Sequence, residues 1–395
     1  MSNPTNGLDE AAEIASLLGA PVAQHLLPTE REFEAWHKPR KQWVREEQWA
    51  KHCRKLMEEF LGAEKEFTYL SLPGPDLLDV RFLSQTCLAA KKNLRFLGFN
   101  NPADESPANQ ISLTKGVAEI CQSDHVSNFS SVIPDRLENL ASAESVANKT
   151  LAEFGSLDAI NIDLCNSMLG HVPLSRQATY YDALHALFEH QKNNRTKPFL
   201  LFLTTRTDRS ALKESAVAKL ATAVKKNLSN PDFKDKLSKD FRVDAFEVIK
   251  LIDSKKLSLE WSNRKVSKFV SVALIKWMLG LLWEGQPSWY IKILDSCEYR
   301  VHSERDMLSI SCVCVPVRRA ADDHTSLSKH KQLNPDGLVS ERSLAMDALD
   351  KVVSTFDLDE MLRADATAFK ALVERSARLM ESAGYSGEKY RSHFG

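Results

Sequence analysis

Two apolar runs limit what this chain can fold into. The first is Leu157-Asp158-Ala159-Ile160-Asn161-Ile162-Asp163-Leu164; the second is Pro198-Phe199-Leu200-Leu201-Phe202-Leu203. Between them lie a helical stretch, roughly Arg176 to Gln191, and a polar turn, Lys192 to Lys197. The order is strand, crossover helix, strand. Each run is too apolar to keep one face in water, so both strands are expected to be buried on both sides, as in a parallel sheet covered by helices. Polar residues gather where the runs end: Asp163, Cys165, Asn166 and Ser167 after the first, Thr204, Thr205 and Arg206 after the second. In an open α/β sheet, ligands bind at that edge.

The same alternation runs upstream. Strands are expected at 67–72 (β1), 94–99 (β2), near 129–133 (β3), 157–163 (β4) and 198–203 (β5), with helices at Leu77 to Lys92, Gln110 to Cys121 and Ala143 to Phe154 between them. Such alternation predicts a doubly wound sheet. Residues 209–285 break it with a run of helices, read as an insertion after the fifth strand. Its most apolar part, Phe269 to Trp283, contains Lys276 and is short for a bilayer, so a buried helix is expected and no membrane contact. Two late strands, 289–294 running on towards Val301 (β6) and 307–315 (β7), are separated by the short turn His302 to Asp306, which suits an antiparallel hairpin. Ser340 is placed to cap a helix from Glu341 to Phe356, and Leu358 to Ala383 is helical; the tail from Gly384 is expected to be only locally ordered.

The fold class is therefore α/β: a doubly wound, mostly parallel sheet with a C-terminal antiparallel hairpin. Residues 1–64 form an N-terminal helical extension, with a short helix Leu8 to Leu18 and a longer one between Glu30 and Leu61. Residues 65–316 form the α/β domain, with the insertion at about 209–285, and residues 317–395 a loop, Arg318 to Val339, and the C-terminal helices.

Charge and cysteine content bound the partners. The formal net charge is −1, so any nucleic-acid binding must come from a local patch. The seven cysteines are odd in number, irregular in spacing and without a CxxC pair, which predicts free thiols in a reducing cytoplasm and no zinc. The N-terminus shows no charged and apolar leader pattern, so a cytoplasmic location is expected. His185 and His190 are five apart on one helix and face different ways, which speaks against a metal pair.

One patch does stand out. Between His37 and Lys55 seven cations, among them Arg40, Lys41, Arg45 and Lys51, face two acids and are interleaved with Trp43 and Trp49. Cations for phosphate and rings for stacking are what a nucleic-acid groove uses. An amphipathic helix packing its tryptophans on the sheet while its charges face water gives the same pattern. Both readings stand at this level.

Five βα units followed by an antiparallel pair resemble the class I S-adenosylmethionine-dependent methyltransferases over roughly residues 65–316. The resemblance implies S-adenosylmethionine as cofactor, held by the loop after β1 through Leu72 and Gly74, by Asn100 at the end of β2 and by Asp135 after β3. The loop has one glycine between Pro73 and Pro75, and Asn100 stands where the family usually has an acid, with Asp104 and Glu105 nearby. After β4 the resemblance places catalytic roles on Asp163 and Asn166, although no Asn/Asp-Pro-Pro-Tyr motif is present. Asp163 can orient or deprotonate a nucleophile, or simply cap the turn. Cys165 lacks a base partner and reads as a small buried residue. Arg206 can bind a ligand anion, or pair with Asp208. Asp76 and Asp79 sit at a helix start with no Glu-x-Lys strand, and no P-loop or GxSxG pattern occurs.

Two functions fit. One is a methyltransferase-like enzyme acting on nucleic acid or protein. The other is a non-catalytic subunit of the same fold that binds nucleic acid or a partner protein in a bacterial multi-subunit system, for example in phage defence.

Overall fold

The computed structural model describes residues 31–170, 178–302, 305–317 and 339–395. The expected helix Leu8 to Leu18 and nearly all of the expected loop Arg318 to Val339 lie outside them. The chain divides into two units, Met1–Glu34 and Ala35–Gly395; of the first, the four described residues form neither helix nor strand.

The second unit is built on one eight-stranded sheet, in the order β3-β2-β1-β4-β5-β7-β6-β8. β1 (Glu66–Ser71), β2 (Asn93–Phe99), β3 (Ser131–Ile133), β4 (Ala159–Asp163) and β5 (Phe199–Arg206) are parallel. β7 (Met307–Pro316) runs antiparallel to β5, and β6 (Trp289–Tyr299) antiparallel to β7. The chain winds outwards from β1 through β2 and β3, then returns and winds the other way through β4 and β5. The switch point therefore lies between β1 and β4, the place where such sheets leave a crevice.

Both faces of the sheet are apolar, as the strand composition requires. One face presents Leu70, Leu97, Ile160, Ile162, Leu201, Leu203 and Ile310 to the crossover helices, the insertion and the core helix Asn263–Trp283. That helix is apolar and long enough to cross a membrane, but most of it is buried inside the protein. The other face presents Phe67, Tyr69, Phe96, Ala159 and Phe202 to the N-terminal helix and to Leu78–Ala89.

Four expectations are corrected. The helix after Ser340 stops at Val353, because Phe356–Asp357 adds a short strand, β8, parallel to β6. The next helix is two, Leu358–Ala364 and Ala366–Ser382; Asp365 leaves helical geometry and caps the second through the Ala368 N–H. The tail is not loose: Gly387–Phe394 is a helix that buries Tyr390, whose hydroxyl donates to the His37 carbonyl. The N-terminal extension is helical from Pro39 to Phe60, with Pro39 in its first turn, but Val44–Ala50 is π-helical.

The loop after β1 owes its course to a glycine that the sequence pattern did not single out. A Cβ on Gly98, near the end of β2, would stand 2.9 Å from Pro73 Cγ and 2.9 Å from Val132 Cγ2. Gly98 thus lets Pro73 lie down on the sheet edge. Gly74 has open space around it. Gly98→Ala is expected to cost about 1–3 kcal/mol through overpacking, read by urea denaturation; an unchanged midpoint would show that the Pro73 loop yields freely.

Candidate functional site

A cleft of about 860 Å³ opens over the ends of β1, β2, β3 and β4, within the usual size of a small-molecule site. It is lined by Leu72, Gly74, Asn100, Asp135, Asp163 and Asn166, so the strand ends bring these six residues around one space. Pro73 and Phe99 form part of its wall without filling it.

The β2 end supplies a small polar cluster. Asn100 Nδ2 donates to the Pro73 carbonyl at 3.0 Å and towards Glu105 Oε1 at 3.4 Å, while Asn109 Nδ2 donates to the other Glu105 oxygen at 2.8 Å. Glu105 thus stands beside Asn100 at the end of β2. After β3, Asp135 is committed to its own turn: Oδ1 accepts from the Arg136 N–H at 2.8 Å and from Asn139 Nδ2 at 2.5 Å. Glu138, three residues on, lines the cleft instead, with no hydrogen bond or ion pair among the described residues. Sequence reasoning missed it, although its spacing from Asp135 places it on the next turn of chain.

The β1 and β4 ends are held from below by the N-terminal helix. Lys41 Nζ reaches Asp163 Oδ1 at 2.5 Å, lies 3.3 Å from the Tyr299 hydroxyl and sits over the Trp49 ring at 4.8 Å. Only 5% of Lys41 is exposed. Arg45, equally buried, donates from Nη2 to the Trp36 carbonyl at 3.0 Å and lines the cleft. Burial pushes its guanidinium below the ordinary value against the pull of the Asp79 and Asp163 carboxylates; it remains charged at neutral pH. Beside them Asn161 Nδ2 donates to the Tyr69 hydroxyl at 2.8 Å, which donates to Asp79 at 3.0 Å. On the wall, Asp76 accepts from Tyr385 and lies 3.0 Å from His37 Nε2.

The basic strip of the sequence is therefore divided: Lys51, Arg54 and Lys55 are exposed, whereas other cations turn away from the surface. Lys41 and Arg45 point inward, and Arg40 pairs with Asp359 at 3.0 Å and donates to the Arg300 carbonyl. Of the four expected contacts, Lys51 is the one that is exposed. The signal lay in the spacing: positions 41, 45 and 49 fall on one helical stripe, so the cations share the face that Trp49 buries. Thr204, Thr205 and Arg206 do internal work: Thr204 meets Ser309, Thr205 receives the Met168 N–H, and Arg206 forks onto Asp208 at 2.9 and 3.0 Å.

Cys165 corrects another expectation, because it is exposed rather than buried. Its thiol nonetheless sits between the cleft walls. Desolvation pushes it up to about 11; Asp163 and Glu105 add to the shift and Lys41 opposes it. It is a protonated, weak nucleophile at neutral pH.

Two outcomes follow. Asp163→Asn leaves the Lys41 ammonium without its counter-ion and should cost toward the lower end of about 3–5 kcal/mol, since Asp163 keeps some solvent contact. The double variant Lys41→Met/Asp163→Asn should regain at least about 1 kcal/mol over the sum of the single losses in urea denaturation; simple additivity would mean that the pair contributes nothing. Alkylation of Cys165 by iodoacetamide should be slow at neutral pH and accelerate as pH rises towards about 11. A rate that is already maximal at neutral pH would refute the desolvated thiol.

No curated protein matches this sequence. Among solved structures, the chain is similar to cofactor-bound Rv0187 from MTB, at 10% identity over 80% of this chain and 98% of that one, with a TM-score of 0.30. It is also similar to a putative class I S-adenosylmethionine-dependent methyltransferase from Listeria monocytogenes (10% identity, 78% and 69% covered, TM-score 0.31). A third is loganic acid methyltransferase with SAH (8% identity, 75% and 100% covered, TM-score 0.31). At these TM-scores the likenesses carry no argument about the site. The family model described as PP_RS20740-like matches residues 30–394, almost the whole chain, and by that match the protein belongs to the PP_RS20740-like family.

Proposed function

We propose that the strand-end cleft binds S-adenosylmethionine and that the protein is a methyltransferase acting on a small or macromolecular acceptor. The observation that carries this reading is the charge of the cleft at the switch point. Seven carboxylates line it (Asp76, Asp79, Asp104, Glu105, Asp135, Glu138 and Asp163) against three guanidiniums (Arg45, Arg136 and Arg206). An acidic, partly apolar cleft of this volume favours a ligand that is net positive and carries a flat ring. A nucleoside sulfonium has both properties. Glu105 and Asn100 would hold its ribose hydroxyls, Glu138 is placed for the base, and the open side of Gly74 admits the backbone-proximal part. When bound, the cofactor supplies an activated methyl group. The chain's own part is to orient the acceptor and to exclude water at the β1 and β4 corner.

The Lys41–Asp163 pair supports a second reading. Asp163 is already engaged by Lys41, so the corner can serve binding without base catalysis. In that case the fold is kept as a ligand-binding scaffold.

Calorimetric titration with S-adenosylmethionine and S-adenosylhomocysteine tests the cofactor. Saturable binding is expected, with Glu105→Gln and Asn100→Ala each weakening it about five- to tenfold, the loss of one hydrogen bond. A folded protein that gives no heat with either compound would sink the proposal. Binding without methyl transfer to any acceptor, in a protein whose cleft is intact, would leave the scaffold reading in its place.

A further inference from the structure

Among the described residues, the N-terminal helix turns towards the cleft a cation, Arg45, that no carboxylate holds. Arg45 lies on the π-helical segment Val44–Ala50, a rare backbone form that recurs at functional sites. Its Nη2 has the Trp36 carbonyl, but its buried Nε has no hydrogen-bond partner among the described residues. Asp79 and Asp163 act on it through space only: Asp79 accepts from Tyr69, and Asp163 takes Lys41. The other two guanidiniums on the cleft are committed, Arg206 to Asp208 and Arg136 to Asp104.

A buried charge with an unused donor is expensive, and most buried polar groups are satisfied. An exception that borders a cleft is accounted for by an anion that the ligand brings. A guanidinium forks onto a carboxylate through two parallel hydrogen bonds, which a point-like ammonium cannot do. The position agrees: the β2 and β3 ends carry the nucleoside-type acceptors, and Arg45 stands at the opposite, β1 and β4, end of the same cleft.

We propose that Arg45 is the receptor for a carboxylate of the ligand in this cleft, which makes the N-terminal extension part of the binding site. The inference rests on the cofactor reading above. The carboxylate has two possible sources, the amino-acid end of the cofactor and an acid group on the acceptor.

The test uses the full chain, Arg45→Gln and Arg45→Lys, with three calorimetric probes: S-adenosylhomocysteine, the carboxylate-free 5′-methylthioadenosine, and benzoate titrated onto each nucleoside complex or, failing one, onto the free protein. Arg45→Gln should weaken a carboxylate-bearing probe about ten- to hundredfold and leave 5′-methylthioadenosine within about twofold. Arg45→Lys should fall between. A loss confined to S-adenosylhomocysteine assigns the carboxylate to the cofactor; a loss confined to benzoate assigns it to an acidic acceptor. If both nucleosides bind and no probe responds to the variants, this inference is overturned while the cofactor reading stands. If neither nucleoside binds, the cofactor reading fails; Arg45-dependent benzoate binding would still support the receptor, and its absence would overturn both. Without ligand, Arg45→Gln should melt no more than about 3 °C below the wild type, because it removes an unpaired buried charge. A larger drop would make Arg45 structural and overturn the assignment.

Discussion

An ammonium group on the buried face of a helix must find an anion or give up its charge, and Lys41 finds Asp163. That pairing fixes much else. It pins the N-terminal helix beneath the end of β4, which sets Lys41 over the Trp49 ring and Arg45 against the cleft. It also decides what Asp163 is. Held by Lys41, the carboxylate becomes part of the cleft wall. Replacing such a pair with matched apolar residues is often neutral for stability, whereas removing one partner is not. The pair therefore specifies where the extension docks more than it strengthens the fold.

The cleft divides its carboxylates between structure and solvent. Asp76, Asp79, Asp135 and Asp163 accept from neighbouring protein groups, whereas Glu138 has no such partner among the described residues. The same division holds for the cations. A ligand would thus meet a field set mainly by committed groups and a few direct contacts made by free ones. This is how a site can be strongly charged and still selective: the committed charges attract, and the uncommitted ones choose.

The sheet was legible in the sequence because its strands are buried on both faces, and continuous apolar runs leave little choice of structure. β1 to β7 lie within a few residues of their expected places. What escaped notice was short or mixed. β8 is two residues beside a helix, and Asp365 breaks a helical pattern with no glycine or proline to mark it. The tail helix is mostly exposed and polar, and only Tyr390 betrays its contact. The strand-end residues were found because topology alone places them. The inward turn of Lys41 and Arg45 was not, because cations beside tryptophans are ordinarily read as a wet face, and only the counter-charges of β4 and of Leu78–Ala89 reverse that reading. Glu105 and Glu138 become visible only when the loops after β2 and β3 are folded.

The contact of His37 and Tyr385 with Asp76 has a consequence for synthesis. Asp76 and Tyr385 are 309 residues apart, and their hydrogen bond braces Asp76, which lines the cleft. At roughly 5–20 residues per second, a ribosome needs on the order of 15–60 s to pass from one to the other. During that interval the parallel strands can pair and the core helix can dock, but the loop after β1 lacks its last support. A nascent chain would therefore hold an assembled sheet with an unfinished cleft wall until Tyr385 emerges.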